Sequence, residues 1–90
     1  MEWVEQDTGG GVVCLGTDIG VNRCLIINAD SAAVYPATTE QWFDGEADDT
    51  SSPTCASIES VEALREFLAG LVPEPARAEI VSKWEERFGE

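Results

Sequence analysis

Carboxylates are the side chains that give this chain its chemical character. The sequence has 18 Asp and Glu against five Lys and Arg, a formal net charge of −13, and no histidine. A run of 41 residues, Cys24 to Leu64, contains eight acids and no base, and five of the eight fall between Glu40 and Asp49. Hydrogen bonds from Arg or Lys to carboxylates are among the strongest polar contacts in proteins. The run therefore predicts a surface for a positively charged partner.

Ten residues make up this predicted partner surface. On the first predicted helix, Glu59, Glu62 and Glu66 are spaced by three and four residues, which places them in one stripe within about 60° around the axis. The acidic stretch before the helix also contains an aromatic pair, which is typical of an interface anchor with a polar rim. The predicted surface comprises Glu40, Trp42, Phe43, Asp44, Glu46, Asp48, Asp49, Glu59, Glu62 and Glu66.

Two simpler interpretations of these residues stay open. A charged run is commonly just a solvated face, and Trp42 and Phe43 can fold back over the sheet because exposed aromatic pairs lower solubility. The net charge nevertheless exceeds the roughly 2 to 8 units that solubility requires in a small domain. The second predicted helix, with Glu79, Lys83 and Arg87 spaced by four, has the ordinary mixed pattern. The excess of acidic over basic side chains therefore favours a partner surface in the residues before that helix.

A calcium site is not expected in the acidic stretch. Asp44, Glu46 and Asp48 have the spacing of the first three ligands of a calcium loop. The positions that require Gly and Glu are occupied by Asp49 and Cys55. We therefore expect no metal here.

Catalysis is not expected either. The glycine-rich stretches 8–11 and 15–20 lack the Gly-Lys-Ser/Thr of a phosphate-binding loop and are predicted to be turns. The commonest general base, histidine, is absent from the chain. We therefore expect a protein that is not an enzyme and that uses no cofactor.

The cysteines and the apolar runs indicate the compartment. Cys14, Cys24 and Cys55 form an odd set without a Cys-x-x-Cys motif, and no signal-peptide pattern opens the chain, which together favour a cytoplasmic protein. Cys14 and Cys24 lie on neighbouring predicted strands, where they could approach each other. No apolar run is long enough to span a bilayer. The negative charge opposes direct binding to nucleic acid or to an anionic membrane.

Turn signals and apolar periodicity predict the elements that must position these residues. Short β-branched runs separated by turn residues predict an antiparallel meander over 1–36. Residues 37–57, rich in Ser, Thr and acids, are predicted as a long acidic loop with one helical turn. Apolar residues at helical spacing predict amphipathic helices over 58–71 and 75–88.

These elements together predict one domain, 1–90, of the α+β class. A three- to four-stranded antiparallel meander is expected to pack one face against the two C-terminal amphipathic helices. Ninety residues are enough for one modest hydrophobic core.

In size and charge the chain resembles the phage-encoded DNA mimics that block CRISPR, restriction or transcription machinery. The resemblance implies an inhibitor whose carboxylates take the place of phosphates in the basic groove of a nucleic-acid-binding protein. Two alternatives stay open. One is an immunity protein or antitoxin that neutralises a cationic toxin, and the other is a structural component whose sheet edge forms a homodimer.

Overall fold

The computed structural model of the chain describes residues 2–7, 13–45 and 54–89. Five strands form one antiparallel sheet in chain order, so each strand pairs with the next one along the sequence. The strands are β1 Val4–Asp7, β2 Val13–Gly20, β3 Arg23–Ile27, β4 Ser31–Tyr35 and β5 Thr54–Ser57. The helices are α1 Thr39–Phe43, α2 Val61–Ala69 and α3 Ala76–Phe88.

The predicted α+β class, with an antiparallel meander and two C-terminal helices, is confirmed. The sheet has five strands where three or four were expected, because residues 54–57, assigned to the acidic loop by composition, pair with β4. The same predicted loop also contains α1. Residues 16–20, expected to be a turn, form the second half of β2, and the turn to β3 lies at Val21 and Asn22, the latter with φ of 53°.

One face of the sheet is covered by α2 and α3. Leu25 and Ile27 of β3 point to this face and join a core with Leu64 and Leu68 of α2 and Ile80 of α3. All five side chains are completely buried. Burying a side chain of this size stabilises the fold by about 1.5–3 kcal/mol. Because this cluster is the larger of the two, it supplies most of the core.

The opposite face of the central strands is covered by α1. Side chains alternate along a strand, so Cys24 and Ile26 lie on this face, where they form a second cluster with Cys14. Trp42 and Phe43 pack against that cluster, with their ring centroids 4.9 Å apart in an edge-to-face arrangement. The central strands are therefore buried on both faces, whereas the sequence predicted helices on one face only.

The N-terminus of α1 is fixed by three side chains that accept hydrogen bonds, those of Thr38, Gln41 and Asp18. The Thr38 hydroxyl accepts a hydrogen bond from the Gln41 N–H at 3.1 Å, and the Gln41 side chain accepts one from the Thr38 N–H at 3.0 Å. The Asp18 carboxylate of β2 accepts two more, from the N–H of Thr39 at 2.7 Å and from its hydroxyl at 2.8 Å. A five-residue helix is marginal by itself, so these bonds to the cap and to the sheet stabilise it.

The close approach of α1 to β2 requires a glycine at position 16. A Cβ atom built on Gly16 would lie 2.7 Å from Cε2 of Phe43, 2.8 Å from Cγ2 of Thr39 and 2.9 Å from Cδ1 of Ile26. Real Cβ atoms do not come this close to carbon neighbours. Any side chain at this position must therefore displace α1 or the side chains beneath it.

We expect Gly16→Ala to lower the free energy of unfolding by about 1–3 kcal/mol, the usual cost of overpacking a well-packed site. Gly70→Ala is the matched control, because a Cβ built there meets no atom within 4 Å. Urea denaturation of the two variants measures the difference. Equal losses of stability would contradict a tight α1–β2 contact at Gly16.

Candidate functional site

The sheet divides the predicted acidic surface into two parts. Glu40 of α1 and Asp44, the residue that caps its C-terminus, lie on one side of the sheet. Glu62 and Glu66 belong to α2, which packs on the other side. All four are exposed. The sequence predicted that these residues form one continuous surface, and this is wrong because the α1 acids and the α2 acids lie on opposite sides of the sheet. The side of the sheet that a helix covers depends on its packing, which its own sequence does not reveal.

Three of the predicted residues lie outside the described part of the chain. Glu46, Asp48 and Asp49 fall between α1 and β5 in the sequence. Their contribution to a partner surface stays a prediction, as does the expectation that they do not form a calcium loop.

Glu59 does not extend the acidic stripe of α2. The Ser60 side chain accepts a hydrogen bond from the N–H of Ala63 at 3.3 Å, which makes Ser60 the N-cap and Val61 the first helical residue. Glu59 therefore precedes the helix, contrary to the prediction. It follows Ile58, whose N–H donates to the Asp30 carbonyl at 2.8 Å. Glu59 consequently lies at the end of β5, near the turn that contains Asp30.

The Lys and Arg side chains are concentrated on the layer formed by α2 and α3, on the side of the sheet opposite α1. Four of the five Lys and Arg belong to α2 or α3. Three ion pairs involve these bases: Arg65 with Glu62 at 3.5 Å, Arg77 with Glu74 at 3.7 Å and Arg87 with Glu5 at 2.7 Å. The charge of the α2 and α3 layer is thus partly compensated within the molecule.

The α1 side of the sheet has no comparable compensation. No Lys or Arg in residues 2–7, 13–45 and 54–89 forms an ion pair with Glu40 or Asp44. Both carboxylates point into solvent from an element that Asp18 and Gly16 hold against β2. We define these two residues as the α1 acidic surface. Glu59 and Glu66 are likewise exposed without an ion pair in the described residues, but only the α1 acidic surface lies on the side of the sheet opposite the ion-paired helices.

Trp42 and Phe43 adopt the packed arrangement that the sequence left open. Both are half-buried, and the Trp42 ring also contacts Tyr35 with 5.5 Å between ring centroids. They cover the sheet, so their aromatic area is largely used in holding α1 in place. A contact between the remaining exposed area and a partner stays a prediction.

Sequence reasoning missed the importance of Asp18. It was assigned to a turn because glycines flank it at positions 16 and 20. In the structure it lies on β2 opposite Cys24, where its side chain points to the α1 face. Asp18 itself is exposed, and nothing in its immediate sequence marks it as the acceptor for a helix that begins 21 positions later.

The cysteines are separated by the strand register. Cys24 pairs with Asp18, four residues along β2 from Cys14, so the Cα atoms of the two cysteines are roughly 14 Å apart, too far for a disulfide. The expectation that they approach each other is therefore wrong. Burial raises the pKa of the Cys24 thiol to about 11, and the negative charge of Asp18 acts in the same direction. Cys55, in contrast, is exposed.

We expect one of the three thiols to react quickly with a thiol-specific reagent at mildly alkaline pH. Cys55 is exposed, whereas Cys14 and Cys24 are buried and should react only when the protein unfolds. The measurement is the number of thiols labelled per chain against time, with and without urea. Cys55→Ser should abolish the fast phase. Two or more fast thiols in the native protein would contradict the described packing.

The contact between Glu5 of β1 and Arg87 of α3 should make stability depend on pH. The hydrogen bond from Arg87, opposed by a smaller effect of desolvation, lowers the pKa of Glu5 below its ordinary value of 4.5. A lowered pKa in the folded state contributes stability above pH 4.5, and this contribution is lost as pH falls through the folded-state value. Glu5→Gln should therefore lower the melting temperature at pH 7 and cease to do so at strongly acidic pH. A difference that persists unchanged in acid would contradict the ion pair as its cause.

The described part of the chain contains neither a cluster of metal ligands nor a membrane-spanning helix. Within it, no group of three or more His, Cys, Asp or Glu side chains is placed to hold a metal ion. None of its helices combines the length and the apolar character needed to cross a membrane. No family model, curated protein or solved structure matches the chain.

Proposed function

We propose that the protein is an inhibitor that binds a positively charged groove of a nucleic-acid-binding protein. The α1 acidic surface takes the place of nucleic-acid phosphates in that groove. The observation that carries the proposal is the presence on α1 of exposed carboxylates without an ion pair in the described residues, while four of the five bases belong to the opposite helical layer. Such a separation leaves one side of the molecule attractive to Arg and Lys.

The size of the charge also supports the proposal. The described residues extend over 31 × 30 × 22 Å. Duplex DNA carries about 18 negative charges over the longest of these dimensions. The chain has a net charge of −13, so it approaches the charge of a DNA segment of its own length. A groove that attracts DNA should therefore attract this protein.

The way α1 is held favours binding without reorganisation. Asp18 accepts hydrogen bonds from both the N–H and the hydroxyl of Thr39, and Phe43 packs directly over Gly16. These contacts fix Glu40 and Asp44 relative to the sheet before a partner arrives. A rigid surface loses less conformational entropy on association than a mobile one. The mechanism of inhibition is then competition, because carboxylates pair with the cations that otherwise hold phosphates.

An immunity protein or antitoxin is the second candidate. It is favoured by the half-buried position of Trp42, next to the acidic residues, because an aromatic side chain beside a charged rim is the usual centre of a dedicated interface. The two candidates differ in their targets. A phosphate mimic should compete with nucleic acid for its partner, whereas an antitoxin can bind its toxin without any such competition.

The proposed competition can be measured as displacement of a short fluorescent DNA duplex from a panel of restriction, CRISPR and transcription proteins. We expect displacement from at least one of them, with an affinity that falls at least about 100-fold between low salt and roughly 0.5 M salt. The double variant Glu40→Gln, Asp44→Asn should weaken displacement about tenfold or more. This corresponds to the loss of two charge-assisted contacts.

The matched control for that experiment is the double variant Glu79→Gln, Glu86→Gln on α3. It removes the same charge from exposed positions on the opposite layer. If the α3 variant weakens displacement as much as the α1 variant, the location of the surface is wrong. If affinity is independent of salt, the electrostatic mechanism itself is wrong.

A further inference from the structure

Within the described residues, the sheet ends at β5 with an open edge. This strand pairs with β4 through four residue pairs, Thr54 with Val34 through Ser57 with Ser31. The sheet order ends at β5, and no other strand in residues 2–7, 13–45 and 54–89 lies on its outer side. An open edge displays backbone N–H and C=O groups that can pair with another extended chain.

The register identifies the groups that point outward. The Ile58 N–H donates to the Asp30 carbonyl at 2.8 Å, so positions 58 and 30 form a hydrogen-bonded pair. Such pairs alternate with non-hydrogen-bonded pairs along an antiparallel ladder. Positions 54 and 56 therefore bond to β4. Cys55 and Ser57 direct their N–H and C=O groups to the open side of the sheet.

The opposite edge of the sheet has a different character. β1 carries two acids, Glu5 and Asp7, and Glu5 is bound to Arg87 of α3 at 2.7 Å. Charged side chains on an edge strand are a common protection against the addition of another strand. β5 has the sequence Thr-Cys-Ala-Ser, with neither a charge nor a proline. Of the two edges, β5 is the one suited to accept a strand.

A shallow groove lies beside this edge, with a volume of about 370 Å³. Its lining includes Ala33, Tyr35 and Ser31 of β4 together with Cys55 and Ser57 of β5. All of these except Tyr35 are small. Alternate side chains of an added strand point to the same face of the sheet. The groove provides space for side chains that project to the α1 side from a strand added at β5.

The charges around β5 indicate which kind of segment fits. Asp30 and Glu59 are exposed at the Ser57 end of the strand, and neither forms an ion pair within the described residues. The other end is different, because Arg23 and Thr54 line a common pocket there. A segment with Lys or Arg at the Ser57 end is therefore favoured.

A second copy of this chain fits the edge less well. It would bring another net charge of −13 to the interface. Pairing along four residues alone also buries far less than the roughly 1,200 Å² at the lower limit for stable protein interfaces. A basic segment of a different protein meets neither objection, since the charge attracts it and other surfaces of its own protein can add to the contact.

We propose that β5 accepts, as an added strand, an extended segment of the partner protein that carries Lys or Arg. Backbone pairing with Cys55 and Ser57 supplies direction, and Asp30 and Glu59 select the charge. This inference rests on the proposed function for the charge of the partner and adds the mode of docking. The partner is thereby held at two places, a basic groove over α1 and an extended basic segment along β5.

The test uses a fluorescent peptide of roughly eight residues, long enough to pass the ~13 Å length of β5. Lys alternates with Thr in this peptide, and binding to the full chain is measured by fluorescence anisotropy. Two control peptides are matched to it. One has the same sequence with methylated backbone nitrogens at alternate residues, which keeps the charge and prevents strand pairing. The other has Glu in place of each Lys.

The matched protein variants are Cys55→Pro and Cys55→Ser. Proline at this position removes an outward N–H and leaves the bonds of positions 54 and 56 to β4 in place, and proline is tolerated on edge strands. Serine keeps the N–H. Circular dichroism checks that both variants are folded. The methylated peptide tests the same backbone pairing on the unaltered protein.

We expect the Lys peptide to bind, and the methylated peptide to bind at least about tenfold more weakly, the effect of losing one or two net hydrogen bonds. Cys55→Pro should weaken binding of the Lys peptide by a similar factor, whereas Cys55→Ser should not. The variant Asp30→Asn, Glu59→Gln should weaken it about threefold or more, whereas Glu79→Gln should have little effect.

Each of the other outcomes overturns a particular part of the docking proposal. If the methylated peptide binds equally well, pairing at β5 is wrong while the proposed electrostatic function stands. If the Glu peptide binds equally well, the charge of the segment is wrong. No binding of any peptide overturns the docking proposal, and the DNA displacement experiment then decides the proposed function separately. A dimer in sedimentation that Cys55→Pro dissociates would assign the edge to a second copy instead.

Discussion

The fold depends on burying the central strands of the sheet from both sides. Leu25 and Ile27 of β3 face α2 and α3, while Cys24 and Ile26 face α1. In a chain of 90 residues with a net charge of −13, the burial of apolar residues has to oppose the repulsion among carboxylates. Because both faces of the central strands are covered, the apolar side chains on either face pack into a core. The described acids are meanwhile all left in solvent.

The two helical layers differ in charge as well as in thickness. The α2 and α3 layer contains four of the five bases, and three of these form ion pairs with nearby glutamates. The α1 layer is a single short helix with exposed acids that have no such partners in the described chain. The thick layer therefore supplies most of the core and presents charge of both signs, whereas the described thin layer presents acids only. Asp18 connects the two properties, because its carboxylate is both a hydrogen-bond acceptor for α1 and one more negative charge on that side.

The sequence predicted the elements with strong periodicity and missed those that depend on distant contacts. Ile80, Trp84 and Phe88 recur every four residues, so α3 was predicted close to its observed bounds. α1 is only five residues long and is held by Asp18, about twenty positions earlier, and β5 is too short for its alternation to be recognised. The acids of the candidate site were identified from composition. Their division between two faces was not, because composition does not record the side of the sheet on which a helix packs.

The position of Cys55 has a practical consequence for anyone who purifies this protein. It is the exposed thiol on β5, the strand whose outer edge is open in the described structure. Air oxidation would join two chains there by a covalent bridge. Such a product would have a doubled mass on a sizing column and an obstructed edge, and it would imitate a native assembly. Preparations kept under reductant avoid this artefact and leave the strand accessible.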